Sequence, residues 1–425
     1  MNAPQAGLSA DGCPVSPADP MPLSGPRFHT DPHELYREMR RAHGPVVSVE
    51  LPGGIPAWLV IGYREVHQVT SDAELFPRDV ARWNQWPNIP EDWPLLPMVG
   101  RPMPSIYFTA GAEHLRHLAM VEPALEQVDP FGLRRACEDL ADQLIDRFCG
   151  RGTADLIAEF AEPLPVLALA WVIGFPDDQG ADLAWTMKTL ADGGAEAQAA
   201  YGRFAEHMQR LVAMKKSRPG NDLTSRMLHS PERFSDEEYA LDLMAVTAAG
   251  QLPTSDWLGN SVRLMLTDDR FAAALGGGRH SIGQAMNEVL WEDTPTQILA
   301  GRWASRDTRL AGKTIRRGDM LLLGLAGANA DPHVRQDLSD SLAPAHSGNS
   351  AHFAFSYGEY RCPFPAQQIA EIIARTGIEV LLDRLPDLDL AVAATELTRR
   401  PSPFLRGMTS LPVTFTPVRT VGGTP

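Results

Sequence analysis

The stretch FAFSYGEYRCPFPAQQIAE, residues 353 to 371, places a single cysteine, Cys362, after an aromatic-rich run and just before two prolines and a helical pattern. Apolar residues recur at helical spacing after it, at Ile369, Ile372, Ile373 and Val380. Cys362 is therefore predicted to lie at a helix N-terminus, where the helix dipole and free N–H groups favour a thiolate. Taken alone, it is a metal ligand, a redox thiol or a buried structural sulfur, and burial is common for free cysteine.

The composition predicts a globular protein that does not bind nucleic acid. The 425 residues are 44% hydrophobic, and 53 acidic against 38 basic residues give a net charge of −15. Such a chain lacks the basic patch that nucleic acid requires. No apolar run reaches the roughly 20 residues of a membrane-spanning helix, so we predict no membrane insertion and a cytoplasmic protein.

The four cysteines are widely scattered, which argues against disulfides and zinc modules. Any metal bound through cysteine is expected to be held by one thiolate. This pattern suits a reducing compartment.

The order of local patterns predicts a mainly α protein with small β-sheets. Residues 1–25 read as a flexible leader, and PVVSVEL and AWLVIGY predict a hairpin across the turn at Pro52 to Gly54. Residues 82–104 hold three tryptophans and many prolines, typical of either a lid over a binding site or a packed loop. Helical periodicity dominates 112–270, and short β-like pieces follow.

The cysteine loop and the segments before it resemble the cytochrome P450 superfamily. Phe355, Gly358 and Cys362 match the family pattern FGxGxHxCxG. NEVLWEDTPTQILAGRW looks like the family segment that begins with ExxR, and GLAGANADP like the strand and turn that follow it. The resemblance runs from about Pro26 to Val418 and implies a single-domain cytochrome P450 fold over 26–418, with a flexible tail at 419–425.

The resemblance also implies a cofactor, haem b (iron protoporphyrin IX), with Cys362 as the thiolate ligand of its iron. By position in the family motifs, five residues are expected to contact the haem or its propionates: His114, Arg116, Arg302, Phe355 and Tyr360. Three residues of the long central helix are expected to line the catalytic side of the haem: Ala249, Gly250 and Thr254.

The chain departs from the family at the ExxR motif, because Glu288 is followed three residues later by Trp291. A second arginine, usual before the cysteine loop, is also missing, with Asn349 and Ser350 near its place. A bacterial subgroup of the family resembles this chain in having tryptophan at that arginine. A buried glutamate without partners is costly. We therefore expect Glu288 to be hydrated or to accept from the Trp291 indole or from backbone N–H groups.

Further departures concern protons and propionates. The family pattern AGx(D/E)T carries an acid and an alcohol that relay protons, but Gly250 is followed here by Gln251, Leu252, Pro253 and Thr254. Leucine cannot carry a proton, and proline is expected to kink the helix, which is also a purely structural explanation. The arginine expected four residues after His114 is Leu118, and Tyr360 replaces a histidine.

The two prolines that follow the cysteine predict an effect on the electron density of its sulfur. Family thiolates accept hydrogen bonds from N–H groups just after the cysteine, and such contacts tune a metal ligand. Pro363 and Pro365 have no N–H, so of the first three positions only Phe364 can donate. We expect a more electron-rich thiolate and a lower reduction potential.

Two functions follow from the resemblance. The first is a monooxygenase that inserts oxygen into a small apolar molecule with electrons from a ferredoxin-type donor, or with peroxide instead. The second is a catalytically reduced relative that acts as a binding or regulatory protein partner, which the missing motifs favour. Retention of Cys362 argues against complete loss of haem.

Overall fold

The computed structural model describes residues 20–93, 95–99, 102–192, 194–268, 271, 279–334 and 349–421. The α-helices, numbered here in chain order, are α1 Arg27–Thr30, α2 Pro32–His43, α3 Tyr63–Ser71, α4 Leu96–Val99, α5 Gly111–Glu126, α6 Pro130–Asp146, α7 Pro163–Ile173, α8 Gly180–Asp192, α9 Ala197–Ser217, α10 Leu223–His229, α11 Asp236–Thr267, α12 Arg279–Glu292, α13 Leu325–Asn329 and α14 Phe364–Arg384. Within these ranges, no helix is long and apolar enough to cross a bilayer.

The strands form three small sheets. They are β1 Met21–Pro22, β2 Val46–Leu51, β3 Ile55–Val60, β4 Thr153–Asp155, β5 Ile298–Trp303, β6 Thr308–Leu310, β7 Lys313–Ile315, β8 Met320–Gly324, β9 Asp389–Leu390 and β10 Pro412–Thr414. The largest sheet has the order β1-β2-β3-β8-β5, with β1 parallel to β2, β3 parallel to β8, and the other pairs antiparallel. The others are β4-β10-β9 and β6-β7.

The mainly α architecture predicted from periodicity is confirmed. The long helix α11 packs against α7, α9, α12 and α14 in one large apolar core. Its start is set by a capping box, in which Ser235 accepts from the Glu238 N–H and Glu238 accepts from the Ser235 N–H. The helix continues through Pro253, although proline usually breaks a helix. Packing of α11 on several sides stabilises it at this position.

The tryptophan-rich segment is a packed loop. Trp83 and Trp93 are buried with ring centroids 5.6 Å apart, and Trp86 packs edge-on against Trp83. The Trp93 indole donates to the Pro52 carbonyl at 2.7 Å, which ties the segment to the β2–β3 turn. The prolines of this segment predict no regular helix, but short helical turns occur in it, at Trp86–Asn88 and in α4.

Some residues of the predicted leader and of the predicted tail take part in defined structure. Strand β1 pairs with β2, and Leu23 is buried, so the described part of the leader belongs to the sheet. At the other end, the Val421 N–H donates to Asp146 at 3.1 Å. Residues 1–19 and 422–425 of the predicted leader and tail lie outside the described residues.

Candidate functional site

The cysteine loop folds back on itself and ends where α14 begins. The Cys362 N–H donates to the Phe355 carbonyl at 3.0 Å, and Pro363 is the N-cap of α14. Gly358 has a φ of +74°, and a Cβ at this position would lie 1.9 Å from the Thr70 carbonyl oxygen. The loop conformation therefore requires glycine there, which explains one of the three residues that match the family pattern.

The Cys362 sulfur lies in a low-dielectric environment. Its Sγ is 3.8 Å from the Pro363 carbonyl oxygen, and burial raises the pKa of the thiol to about 12, against a smaller lowering by Arg361. A metal ion bound to this sulfur would deprotonate the thiol.

Three basic side chains from separate segments meet beside this loop, and we call them the cationic cluster: Arg78, His114 and Arg302. All are buried, with 7%, 4% and 1% exposure. The Arg302 Cζ lies 4.6 Å from the Tyr360 ring centroid, and the His114 and Tyr360 ring centroids are 4.7 Å apart. Arg78 stacks on Tyr107 with its Cζ 3.6 Å from the ring centroid.

The cationic cluster has buried polar nitrogens without hydrogen-bond partners. Arg302 Nε and Nη2, Arg78 Nη2 and His114 Nε2 make no hydrogen bond, and Arg302 Nη1 donates only to the Gly301 carbonyl at 3.2 Å. Burial, and after it the charge of Arg78, together lower the pKa of Arg302 to about 9. Buried cations without partners are costly, so the cluster suits an anion from outside the chain.

His114 shows how such an anion would change the site. Burial lowers the pKa of His114 to about 4, an effect that its hydrogen bond to Ile106 opposes and the charge of Arg78 adds to. Its Nδ1 donates to the Ile106 carbonyl at 3.1 Å, so Nε2 can donate only when the ring is an imidazolium. A carboxylate beside Nε2 would favour that form. Two carboxylates, as in the haem propionates, fit the donors of the cluster.

The predicted propionate ligand Arg116 lies elsewhere. Its Nη1 is 3.0 Å from each carboxylate oxygen of Glu113, and its guanidinium stacks on Phe234. Residues two apart on a helix point to different faces, so Arg116 and His114 diverge from α5. The structure does not bring Arg116 to the cationic cluster. Arg78, which no family motif marked, lies there instead.

The central helix reaches the cysteine loop through an aromatic contact. The Trp257 ring packs edge-on against Phe355 with centroids 5.8 Å apart, and its indole donates to the Met286 carbonyl at 2.9 Å. Thr254 is buried one turn earlier, and a Cβ on Gly250 would lie 3.1 Å from Leu169. The predicted residues Ala249, Gly250 and Thr254 are thus on a helix that contacts the loop.

A neutral hydrogen-bonded bridge lies near the altered ExxR motif. The Trp291 indole and the Asn287 amide both donate to the Asn349 carbonyl, at 2.9 and 3.1 Å. The bridge joins α12 to the segment before the cysteine loop, as the missing arginines were expected to do. Glu288 is buried and does not lack a partner. The indole's hydrogen bond to Asn349 is therefore different from the expected one to Glu288.

Comparisons with known proteins show what the chain is similar to. No family model matches the chain. Cytochrome P450 107B1 of Saccharopolyspora erythraea is 30% identical over 398 residues, which cover 91% of this chain and 95% of that protein. The polyketide biosynthesis cytochrome P450 PksS of Bacillus subtilis is 28% identical over 408 residues, 92% of this chain and 97% of the relative.

Among solved structures, CYP154C4 from Streptomyces sp. ATCC 11861 superimposes with a TM-score of 0.82 at 26% identity, covering 94% of this chain and 98% of that one. Sequence and fold agree over nearly the whole length of these proteins. The chain belongs to the cytochrome P450 family.

Proposed function

We propose that this protein is a haem-thiolate monooxygenase that binds haem b through Cys362 and oxidises a small apolar molecule. The observation that carries the proposal is the buried cationic cluster, whose donors lack acceptors, beside a cysteine loop of the family type. When bound, the haem supplies the activation of dioxygen or peroxide. Electrons for the dioxygen reaction come from a ferredoxin-type donor.

The residues of the chain hold the cofactor from two sides. Cys362 binds the iron, and Phe355 accepts the Cys362 N–H and so fixes the loop. Arg302, Arg78 and His114 bind the propionates. Tyr360 packs between Arg302 and His114 and holds these two side chains in position. Arg116 is left out of this role because its guanidinium is paired with Glu113.

The opposite side of the haem is assigned to α11. Ala249, Gly250 and Thr254 form that wall, and the Thr254 hydroxyl orders a water for proton delivery. Leu252 stands where the family has its acid, so proton delivery depends on water and not on a carboxylate of that turn. Reaction with peroxide, which brings its own protons, suits this arrangement.

The first test is spectroscopic. The purified protein, reduced under carbon monoxide, should give the absorption band of a thiolate-ligated haem. Cys362→Ala should lose that band, and Cys137→Ala, which changes a buried cysteine on α6, should keep it. A colourless protein that does not take up haem contradicts the proposal.

The second test concerns turnover. The haem-loaded protein is assayed on a panel of small apolar compounds, once with a surrogate ferredoxin and its reductase and once with hydrogen peroxide. Oxygenated product in either arm supports the monooxygenase. A protein that binds haem and apolar ligands but forms no product in both arms supports the second function, a regulatory or binding protein, which the absence of an acid at Leu252 favours.

The prolines beside the ligand provide a further test of the thiolate. Pro363 caps α14 and Pro365 lies in its first turn, so neither position can donate a backbone N–H to Sγ. Pro363→Ala and Pro365→Ala should each raise the reduction potential of the bound haem. Pro386→Ala, at the exposed far end of α14, is the control and should leave it unchanged. Equal potentials in all four proteins would reject this role for the prolines.

A further inference from the structure

Three potential metal ligands converge where α5 meets the start of α11. Glu113 and His117 are one helical turn apart on α5, and Glu238 lies in the first turn of α11. One ligand atom from each residue lies within 4.8 Å of the other two. This spacing lets the three side chains reach a single ion with small rotamer changes.

His117 provides independent evidence that an ion binds here. The residue is fully buried, and its Nε2 makes no hydrogen bond while it lies 3.5 Å from Glu113 Oε1. On the other side of the ring, Nδ1 contacts a carboxylate oxygen of the buried Asp242 at 2.6 Å. Asp242 is itself fixed by the Ile106 N–H at 2.7 Å.

This pairing prepares the histidine for a metal. A carboxylate bound to Nδ1 keeps the proton on that nitrogen and leaves the Nε2 lone pair directed toward the two glutamates. Metal-ligating histidines are commonly held in this way by a carboxylate behind the ring. The buried polar atom and its orientation are thus both explained by one ion in front of Nε2.

We propose that Glu113, His117 and Glu238 bind one divalent transition-metal ion, with zinc as the best match. Imidazole nitrogen and carboxylate oxygen are both zinc ligands, and a zinc ion held by three protein ligands takes water as its fourth. Glu238 Oε2 accepts the Ser235 N–H at 2.7 Å, and Oε1 is the oxygen directed to the ion. The site does not depend on the proposed haem chemistry.

Arg116 is the built-in competitor for this site. Its Nη1 donates to both Glu113 oxygens at 3.0 Å, and its Nη2 lies 3.7 Å from Glu238 Oε1. A metal ion and the guanidinium compete for the same oxygens. The Arg116 side chain is 35% exposed, so it can turn toward solvent when an ion binds.

The ion would connect two functional parts of the fold. It would fasten the first turns of α5 to the start of α11. Ile106 links it to the cationic cluster, since its N–H donates to Asp242 and its carbonyl accepts from His114. The expected role is structural, holding α5 in the position that places His114.

The test is calorimetric titration of the chelator-treated, tag-free full chain, as purified, with Zn²⁺, together with thermal unfolding with and without the ion. We expect one site per chain and a higher Tm with Zn²⁺. His117→Gln should weaken binding by about 100-fold, and Glu113→Gln, at a half-exposed position, by about tenfold. Arg116→Gln should strengthen binding by about tenfold, since it removes the competing charge.

Glu126→Gln, at the exposed end of α5, is the matched control and should bind as the unchanged protein does. Binding that survives both His117→Gln and Glu113→Gln would place the ion elsewhere and overturn the proposal. Absence of binding in the unchanged chain would also overturn it, even if Arg116→Gln then bound the ion. If His117→Gln does not fold, the opposite shifts expected for Glu113→Gln and Arg116→Gln decide the question.

Discussion

Two buried groups of arginines in this protein differ in where their negative charge comes from. In the first, which we call the Asp293 cluster, one carboxylate binds three guanidinium groups: Arg263 and Arg399 at 2.7 Å and Arg406 at 2.5 Å. These contacts join α11 and α12 to the segment before β10. The chain supplies its own anion here.

The cationic cluster of Arg78, His114 and Arg302 has no such carboxylate. Among the described residues, none of the three forms an ion pair within 4 Å, and Glu359 affects Arg302 only through its charge at longer range. This difference supports the proposal that the cationic cluster binds an anion from outside the chain.

The largest expected effect is at the closed cluster. Asp293→Asn leaves three arginines around a neutral amide, and breaking a buried pair in this way costs about 3–5 kcal/mol in the free energy of unfolding. Denaturant unfolding measures it. Asp387→Asn, at an exposed carboxylate that accepts from the Thr416 N–H, is the control and should cost less than about 1 kcal/mol. If Asp293→Asn lowered the free energy of unfolding only slightly, the proposed difference between the two clusters would be wrong.

The pH dependence of this pair has a definite sign. The three arginines hold the pKa of Asp293 well below its ordinary value, despite burial, which acts in the opposite direction. A carboxyl group with a lowered folded-state pKa stabilises the protein above the unfolded pKa of about 4, and the contribution is lost as the pH falls below it. Asp293→Asn should therefore have less acid sensitivity than the unchanged chain.

The second prediction is that one substitution, at Arg302, weakens haem binding but does not destabilise the haem-free protein. Arg302→Met should speed haem loss by about 10- to 100-fold, because it removes a propionate donor. In the haem-free protein, the same change should leave the free energy of unfolding equal or higher, because an unpaired buried cation is replaced by an apolar chain of similar size. Arg306→Met, at an exposed position, should change neither. Loss of stability in both forms would show that Arg302 is paired within the chain.

The third prediction isolates Arg78. Arg78→Gln should speed haem loss by about tenfold, and this difference should fall below about threefold when the protein is loaded with haem dimethyl ester, whose propionates carry no charge. Haem transfer to an acceptor protein gives both rates. The neighbouring Arg82, paired with Asp79 at the surface, provides the control Arg82→Gln. An equal effect of Arg78→Gln on both forms of haem would remove Arg78 from the propionate site.

The last prediction concerns Asp256, an intermediate case between the two clusters. It is buried and 3.3 Å from Arg400, but burial dominates and raises its pKa to about 7. Because the folded state holds this proton more tightly than the unfolded state, the group lowers stability as the pH rises from about 4 to 7.

In a plot of the free energy of unfolding against pH, Asp256→Asn should remove this slope. The slope corresponds to a difference of at most about one bound proton between the folded and unfolded states. Asp387→Asn again serves as the control. An unchanged slope in Asp256→Asn would mean that Arg400 neutralises Asp256 as fully as the arginines neutralise Asp293.

Much of the site was predictable because its signals are local. The cysteine, the glycine at 358 and the helix after Pro363 lie within a short stretch, and backbone sterics and helix capping act over such distances. His114 and Arg302 were found through motif positions, and the structure brings them together beside Tyr360. Fold class followed from periodicity, which depends only on which residues must be buried.

The misplaced and missed residues depend on packing. Whether Arg116 or His114 faces the cysteine loop is decided by the rotation of α5 against α11, and sequence spacing alone gives only the angle between them. The Trp291 indole was one of the expected partners of Glu288, beside backbone N–H groups and water, but the segment at Asn349 offers the indole a backbone carbonyl. Arg78 comes from a loop with no motif at all.

The sequence by itself determined the family and the mainly α fold class, and it singled out Cys362 as the proposed ligand, because local patterns and motif spacing carry that information. Only the tertiary structure decided which cations are neutralised and which stay open. Neutralisation depends on whether a carboxylate from a distant segment lies within about 4 Å, since at that range a low dielectric makes the charge pair strong. Asp293 meets that condition for its arginines, and the chain provides nothing equivalent for Arg78 and Arg302 among its described residues.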